Sequence, residues 1–179
     1  MTGRRIVLLR GINLGATNRI AMAELRDAFA QAGFEDVRTY VQSGNVVVSS
    51  DAAPDALEQL SERLISERFS LEVPVVARTR DELAAVVERD PFGDVVEDPK
   101  RYQVSFLSAE LDEDVIARLA DAASPTERFA AHGRELYGWH PDGVARSKLW
   151  GRLAGTGLGV KATARNWTTV QTLLRMADE

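Results

Sequence analysis

The sequence contains no cysteine, which excludes a disulfide framework, a thiolate nucleophile and any Cys-ligated zinc or iron–sulfur site. Histidine is scarce as well. His132 and His140 stand eight residues apart, which is not metal-ligand spacing on a helix, and no metal site is expected. His140, next to Pro141, reads as a surface residue. Long apolar runs are missing: Ile6 to Leu9 follows two arginines and stops at Arg10, too short for a bilayer span or a signal-peptide core. The chain is therefore expected to be cytoplasmic, with no membrane partner. Gly-x-Ser-x-Gly, His-Glu-x-x-His, P-loop and dinucleotide fingerprints are all lacking, so no catalytic residue and no cofactor is assigned.

Acids are missing locally, and this is more informative than the net charge of −5. Residues 1–23 hold four arginines and no acid, and residues 139–175 hold six Lys or Arg against Asp142 alone. Two basic segments in an acidic protein attract anionic ligands if they meet in space, whereas acidic helix faces concentrated in the middle would give the same imbalance.

What remains is a composition typical of folded proteins, with 45% apolar and 27% charged residues. Arg5 to Arg10 reads as a buried strand stopped by Gly11. Met22, Leu25 and Phe29 recur at helical spacing up to Gly33. Residues 37–42 alternate as a strand, and Ser43-Gly44 predicts a tight hairpin into Asn45 to Val48. Pro54 opens a second helix, Val73 to Ala77 forms a strand, and Thr79 with Glu82 has capping-box spacing before a third helix. Residues 101–179 replay the order: strand Tyr102 to Leu107, a helix carrying Val115 and Leu119, a hairpin turning at Gly133, a helix near Ser147 to Leu153, an extended piece around Val160 to Thr163, and a last helix from Trp167. The expected fold is α+β, an internal duplication of two ferredoxin-like (split βαβ) units with extra helices. Residues 1–89 form the first unit, 90–100 an acidic, proline-containing linker, and 101–179 the second.

Three loops that lead into helices combine cations with amides or hydroxyls: Arg10 to Arg19 with Asn13 and Asn18, Arg146-Ser147-Lys148, and Arg165-Asn166. Helix N-termini favour anions through their unpaired N–H groups and dipole. For each loop the competing reading is an ordinary cap with a solvated arginine. Trp139, Trp150 and Trp167, interleaved with Arg146, Lys148, Arg152 and Arg165, resemble in composition the stacking platforms of single-stranded nucleic-acid binders. Trp150 and Trp167 fall beside helical apolar stripes, which assigns both to packing.

The runs Leu9-Arg10-Gly11-Ile12-Asn13, Met22-Ala23-Glu24-Leu25, Tyr40 to Val46, Arg146-Ser147-Lys148-Leu149 and Thr163 to Trp167 resemble a bacterial family of unknown function, domain family sixteen ninety-seven. Gly15-Ala16-Thr17 departs from that family's usual Gly-Gly-Lys and removes one cation. The resemblance implies two ferredoxin-like halves and no established activity. It singles out Arg10, Asn13, Asn18, Gln42, Ser43, Asn45, Arg146, Ser147, Lys148, Arg165 and Asn166. The leading expectation is binding of a phosphate-bearing ligand, a nucleotide or nucleic-acid backbone, where the two halves join. The alternatives are an enzyme that stabilises charge on such a ligand with Arg and Lys, and an interaction protein without a small ligand, its free sheet edge open to homodimer formation.

Overall fold

A computed structural model describes residues 2–154 and 157–179. Among the described residues there are eight strands and six α-helices, in two four-stranded antiparallel sheets. Two compact units divide the chain: Met1–Ala84 together with Thr172–Glu179, and Ala85–Gln171.

The first unit opens with β1 (Gly3–Leu9), whose Ile6, Val7, Leu8 and Leu9 are all fully buried. Side chains alternate across a strand, so this continuous apolar run reflects burial on both faces of the sheet. Removing each such side chain from water is worth about 1.5–3 kcal/mol. Helix α1 (Met22–Gln31) packs Leu25 and Phe29, and α2 (Pro54–Phe69) packs Leu57 and Ile65, against Val7, Leu9, Val46 and Val48 of the sheet. Strands β2 (Glu35–Tyr40), β3 (Asn45–Ser50) and β4 (Val75–Thr79) complete the order β2-β3-β1-β4. The expected capping box is made in full: Thr79 Oγ1 accepts the Glu82 N–H at 3.0 Å, and Glu82 accepts the Thr79 N–H at 2.7 Å. It opens α3 (Arg80–Arg89), inside which the division between the units falls. The last residues of the chain belong to the first unit, where Glu179 pairs with Arg38 at 2.8 Å and Asp178 with Arg80 at 2.7 Å.

The hairpin differs from the expected two-residue turn. Strand β2 ends at Tyr40, and residues 41–44 form a four-residue connection in which Val41 takes φ 49°. Side-chain chemistry explains the change: the buried Asn45 amide donates to Tyr40 O at 3.0 Å and Ser43 Oγ at 2.9 Å, closing a wider loop than Ser43-Gly44 alone would make.

In the second unit β5 (Tyr102–Leu107), α4 (Glu113–Ala122), β6 (Arg128–His132), β7 (Glu135–Trp139), α5 (Lys148–Leu153) and β8 (Ala162–Asn166) give a sheet ordered β6-β7-β5-β8. Helix α6 (Trp167–Asp178) follows. The core gathers Leu107, Leu119, Leu136, Leu149, Leu153 and Leu158, with Trp150 packed against it and half-buried. Trp167 is buried and stacks on Tyr102, their rings 4.7 Å apart. Both tryptophans therefore pack, as their helical spacing indicates. Within 90–100, Asp90 accepts the Tyr102 hydroxyl at 3.0 Å, and a single 3-10 turn at Pro99–Arg101 leads into β5.

Candidate functional site

Two clusters, one in each unit, contain the singled-out residues other than Arg165 and Asn166. In the first unit, residues 10–20 leave β1, and Asn13 (φ 55°) and Asn18 (φ 50°) close a small turn in which Asn18 O accepts the Asn13 N–H. Amide side chains tolerate this left-handed backbone better than most. The Asn13 side chain then ties three backbone groups together. Its Nδ2 donates to Ile20 O at 2.9 Å and Gln42 O at 2.7 Å, and its Oδ1 accepts the Ile20 N–H at 2.9 Å. This joins the loop to the hairpin turn, so Asn13, Asn18, Gln42, Ser43 and Asn45 gather around the end of β1, next to the half-buried Arg10. The amide of Asn13 is spent on the chain's own backbone, and that of Asn45 on Tyr40 O and the Ser43 hydroxyl. Asn13→Ala is expected to cost about 2–3 kcal/mol, because it strips partners from one N–H and two carbonyls; urea denaturation measures it.

In the second unit Ser147 caps α5 by accepting the Trp150 N–H at 2.9 Å, and its hydroxyl donates to Glu127 Oε2 at 2.5 Å. Glu127 is the hub. Its other oxygen accepts the Ser124 N–H at 3.0 Å, and Oε2 also meets His140 Nδ1. Burial pushes this carboxyl's pKa up, but the bonds from Ser124, Ser147 and His140 outweigh burial and hold it below the ordinary glutamate value. His140 is fully buried, contrary to its reading as a surface residue. Its N–H continues the chain's bonding beyond β7 to Arg101 O at 3.1 Å, and its ring fills the space left bare by Gly138. His140 Nε2 faces Gly138 and has no hydrogen-bond partner among the described residues. Serine and histidine thus both bond the same carboxylate oxygen. A proton relay from Ser147 through Nε2 is not built here, since that nitrogen points away from the hydroxyl.

Arg146 and Lys148 flank Ser147, both exposed. They line a cavity of about 730 Å³ whose wall also includes Asp121, Ser124, Glu127 and Asp142. Among the described residues no carboxylate pairs with either cation, and Asp142 instead accepts the Thr126 hydroxyl at 2.6 Å.

Arg165, by contrast, is buried in β8, donating to Thr163 Oγ1 at 2.7 Å and Ala164 O at 2.8 Å. Burial pulls its pKa down to about 10, still charged at neutral pH. Asn166 caps α6, accepting the Thr169 N–H at 2.9 Å. Arg78 holds the matching place in β4: it is fully buried and lies opposite Ile6 of β1, as Arg165 lies opposite Val104 of β5. The sequence reading missed Arg78, Glu127 and the role of His140. The parallel triplets Ala77-Arg78-Thr79 and Ala164-Arg165-Asn166, each just before a helix, were the available signal for Arg78.

A family model described as a protein of unknown function, DUF1697, matches residues 1–137. The chain belongs to the DUF1697 family. The matched stretch contains the Asn13 and hairpin cluster together with Glu127, while Arg146 to Lys148 and Arg165 lie beyond it. Among solved structures, this DUF1697 chain is similar to the conserved bacterial protein SP0830 from Streptococcus pneumoniae. The two are 24% identical, the alignment covers 99% of each chain, and the TM-score is 0.79. That likeness concerns the fold. No curated protein matches the chain.

Proposed function

We propose that this DUF1697 protein binds a nucleotide-like, phosphate-bearing ligand in the cavity beside Ser147. The observation that carries the reading is the pair of exposed cations, Arg146 and Lys148, unpaired among the described residues on either side of an anchored cap. An anion between them gains charge-assisted hydrogen bonds. The acids on the same wall, Asp121 and Asp142, suit the hydroxyls and amines of a nucleoside rather than a second phosphate. A volume of about 730 Å³ lies within the range of small-molecule sites. Glu127 and His140 serve here by fixing Ser147, and hence the backbone that carries both cations.

We also read the chain as two ferredoxin-like halves, 1–89 and 101–179, separated by residues 90–100. Supporting this, both sheets are antiparallel and share one strand order, with the element order strand, helix, strand, strand, helix, strand in each.

Thermal shift tests the ligand. A nucleotide at about one hundred times its Kd stabilises the native state by about 2.7 kcal/mol, which raises Tm by about 5–10 °C at this chain length. Replacing Arg146 and Lys148 together by alanine is expected to abolish the shift and leave the unliganded Tm within about 2 °C, because both side chains are exposed. An undiminished shift in the double variant, or no shift with any nucleotide, defeats the proposal.

A further inference from the structure

We propose that a second cavity, between α4 and α5, is a binding site for an amphiphilic carboxylate with a medium-length apolar body. It has a volume of about 370 Å³ and is lined by Val115, Arg118 and Leu119 of α4, Gly151 and Arg152 of α5, and Gly157 with Leu158. Leu119 and Leu158 belong to the core of the second unit, so the floor of the cavity is the exposed margin of the core itself. Arg118 and Arg152 are both exposed, and among the described residues neither is ion-paired and no acid lines the cavity. Two exposed guanidinium groups beside one apolar concavity offer planar, paired N–H donors that a carboxylate accepts.

Gly151 is an independent observation pointing the same way. It sits inside α5, where glycine weakens a helix relative to alanine. No positive φ calls for it, and among the described residues a Cβ built there meets nothing within 4 Å. Neither local conformation nor packing among the described residues therefore explains the missing methyl group. Gly151 lines the cavity, and a methyl group added there would narrow it.

The volume is near the lower limit for small-ligand pockets, enough for one medium-chain carboxylate. The site shares neither arginine with the Arg146 and Lys148 cavity, so either assignment can fail without the other.

The test is an NMR titration of the full chain with sodium octanoate, run beside octylamine. Octanoate is expected to shift the methyl signals of Val115, Leu119 and Leu158 saturably, and octylamine to leave them in place. Arg118→Gln combined with Arg152→Gln should weaken octanoate binding by more than about tenfold. Gly151→Ala provides the sharper test: it should raise the Tm of the free protein, as a better helix former does, and yet weaken octanoate binding several-fold. The proposal is overturned if octanoate gives no saturable shift, if octylamine shifts the same methyls equally, or if Gly151→Ala binds octanoate as tightly as the unaltered chain.

Discussion

Gly44→Ala is expected to destabilise the protein by about 2–5 kcal/mol, combining a left-handed backbone cost of about 1–2 kcal/mol with overpacking of about 1–3 kcal/mol. Gly44 has φ 82°, and a Cβ there would lie 2.6 Å from Leu9 Cβ and 2.9 Å from Ile12 Cδ1. Both neighbours are in the core, and Gly44 O is held by the Leu9 N–H at 2.9 Å, so the turn has no room to retreat. Gly15→Ala supplies the control. Gly15 has a similar φ of 68°, with nothing among the described residues within 4 Å of the added atom, and should lose only the conformational share of about 1–2 kcal/mol. Chemical denaturation of the pair separates the two effects. Equal losses would show that the fit of the hairpin turn against β1 contributes nothing.

The second large effect is expected at Glu127. Glu127→Ala removes the acceptor of Ser124, Ser147 and His140 at once, and breaking a buried charged network by deleting one partner costs about 3–5 kcal/mol. The same residue sets a pH dependence. Its folded pKa is lowered, so its stabilising contribution is complete above the unfolded value of about 4.3 and is lost as the pH falls through the lower folded value. In Glu127→Gln, urea midpoints should fall less steeply over that acid range than in the unaltered protein. An unchanged acid slope would mean that other carboxylates carry it.

Local rules made some elements legible and left others hidden. The run Ile6 to Leu9 announced β1 because a strand buried on both faces needs no alternation. Thr79 and Glu82 announced α3 because both halves of a capping box lie within one turn of chain. The sequence predicts an extended piece around Val160 to Thr163, and the observed strand β8 is Ala162–Asn166. Its sequence Ala-Thr-Ala-Arg-Asn has little β-branched character, and its pairing with β5 is remote in sequence. Of the candidate residues, Arg146 and Lys148 are exposed and line a cavity. Arg165 looks the same in sequence and lies buried, since arginine exposure depends on what covers the strand rather than on its neighbours in the chain. His140 beside Pro141 read as a surface residue, because its partner Glu127 stands thirteen residues earlier in a stretch that resembles a loop.

The assignment of Thr172–Glu179 to the first unit affects how the protein can be made. Domains commonly fold as they leave the ribosome, the N-terminal one first. Here the partners of Arg38 and Arg80 are Glu179 and Asp178, synthesised after the whole of the second unit. The earliest-made unit is thus the last to be completed, and a ribosome stalled anywhere before residue 172 holds a first unit that still lacks its closing segment.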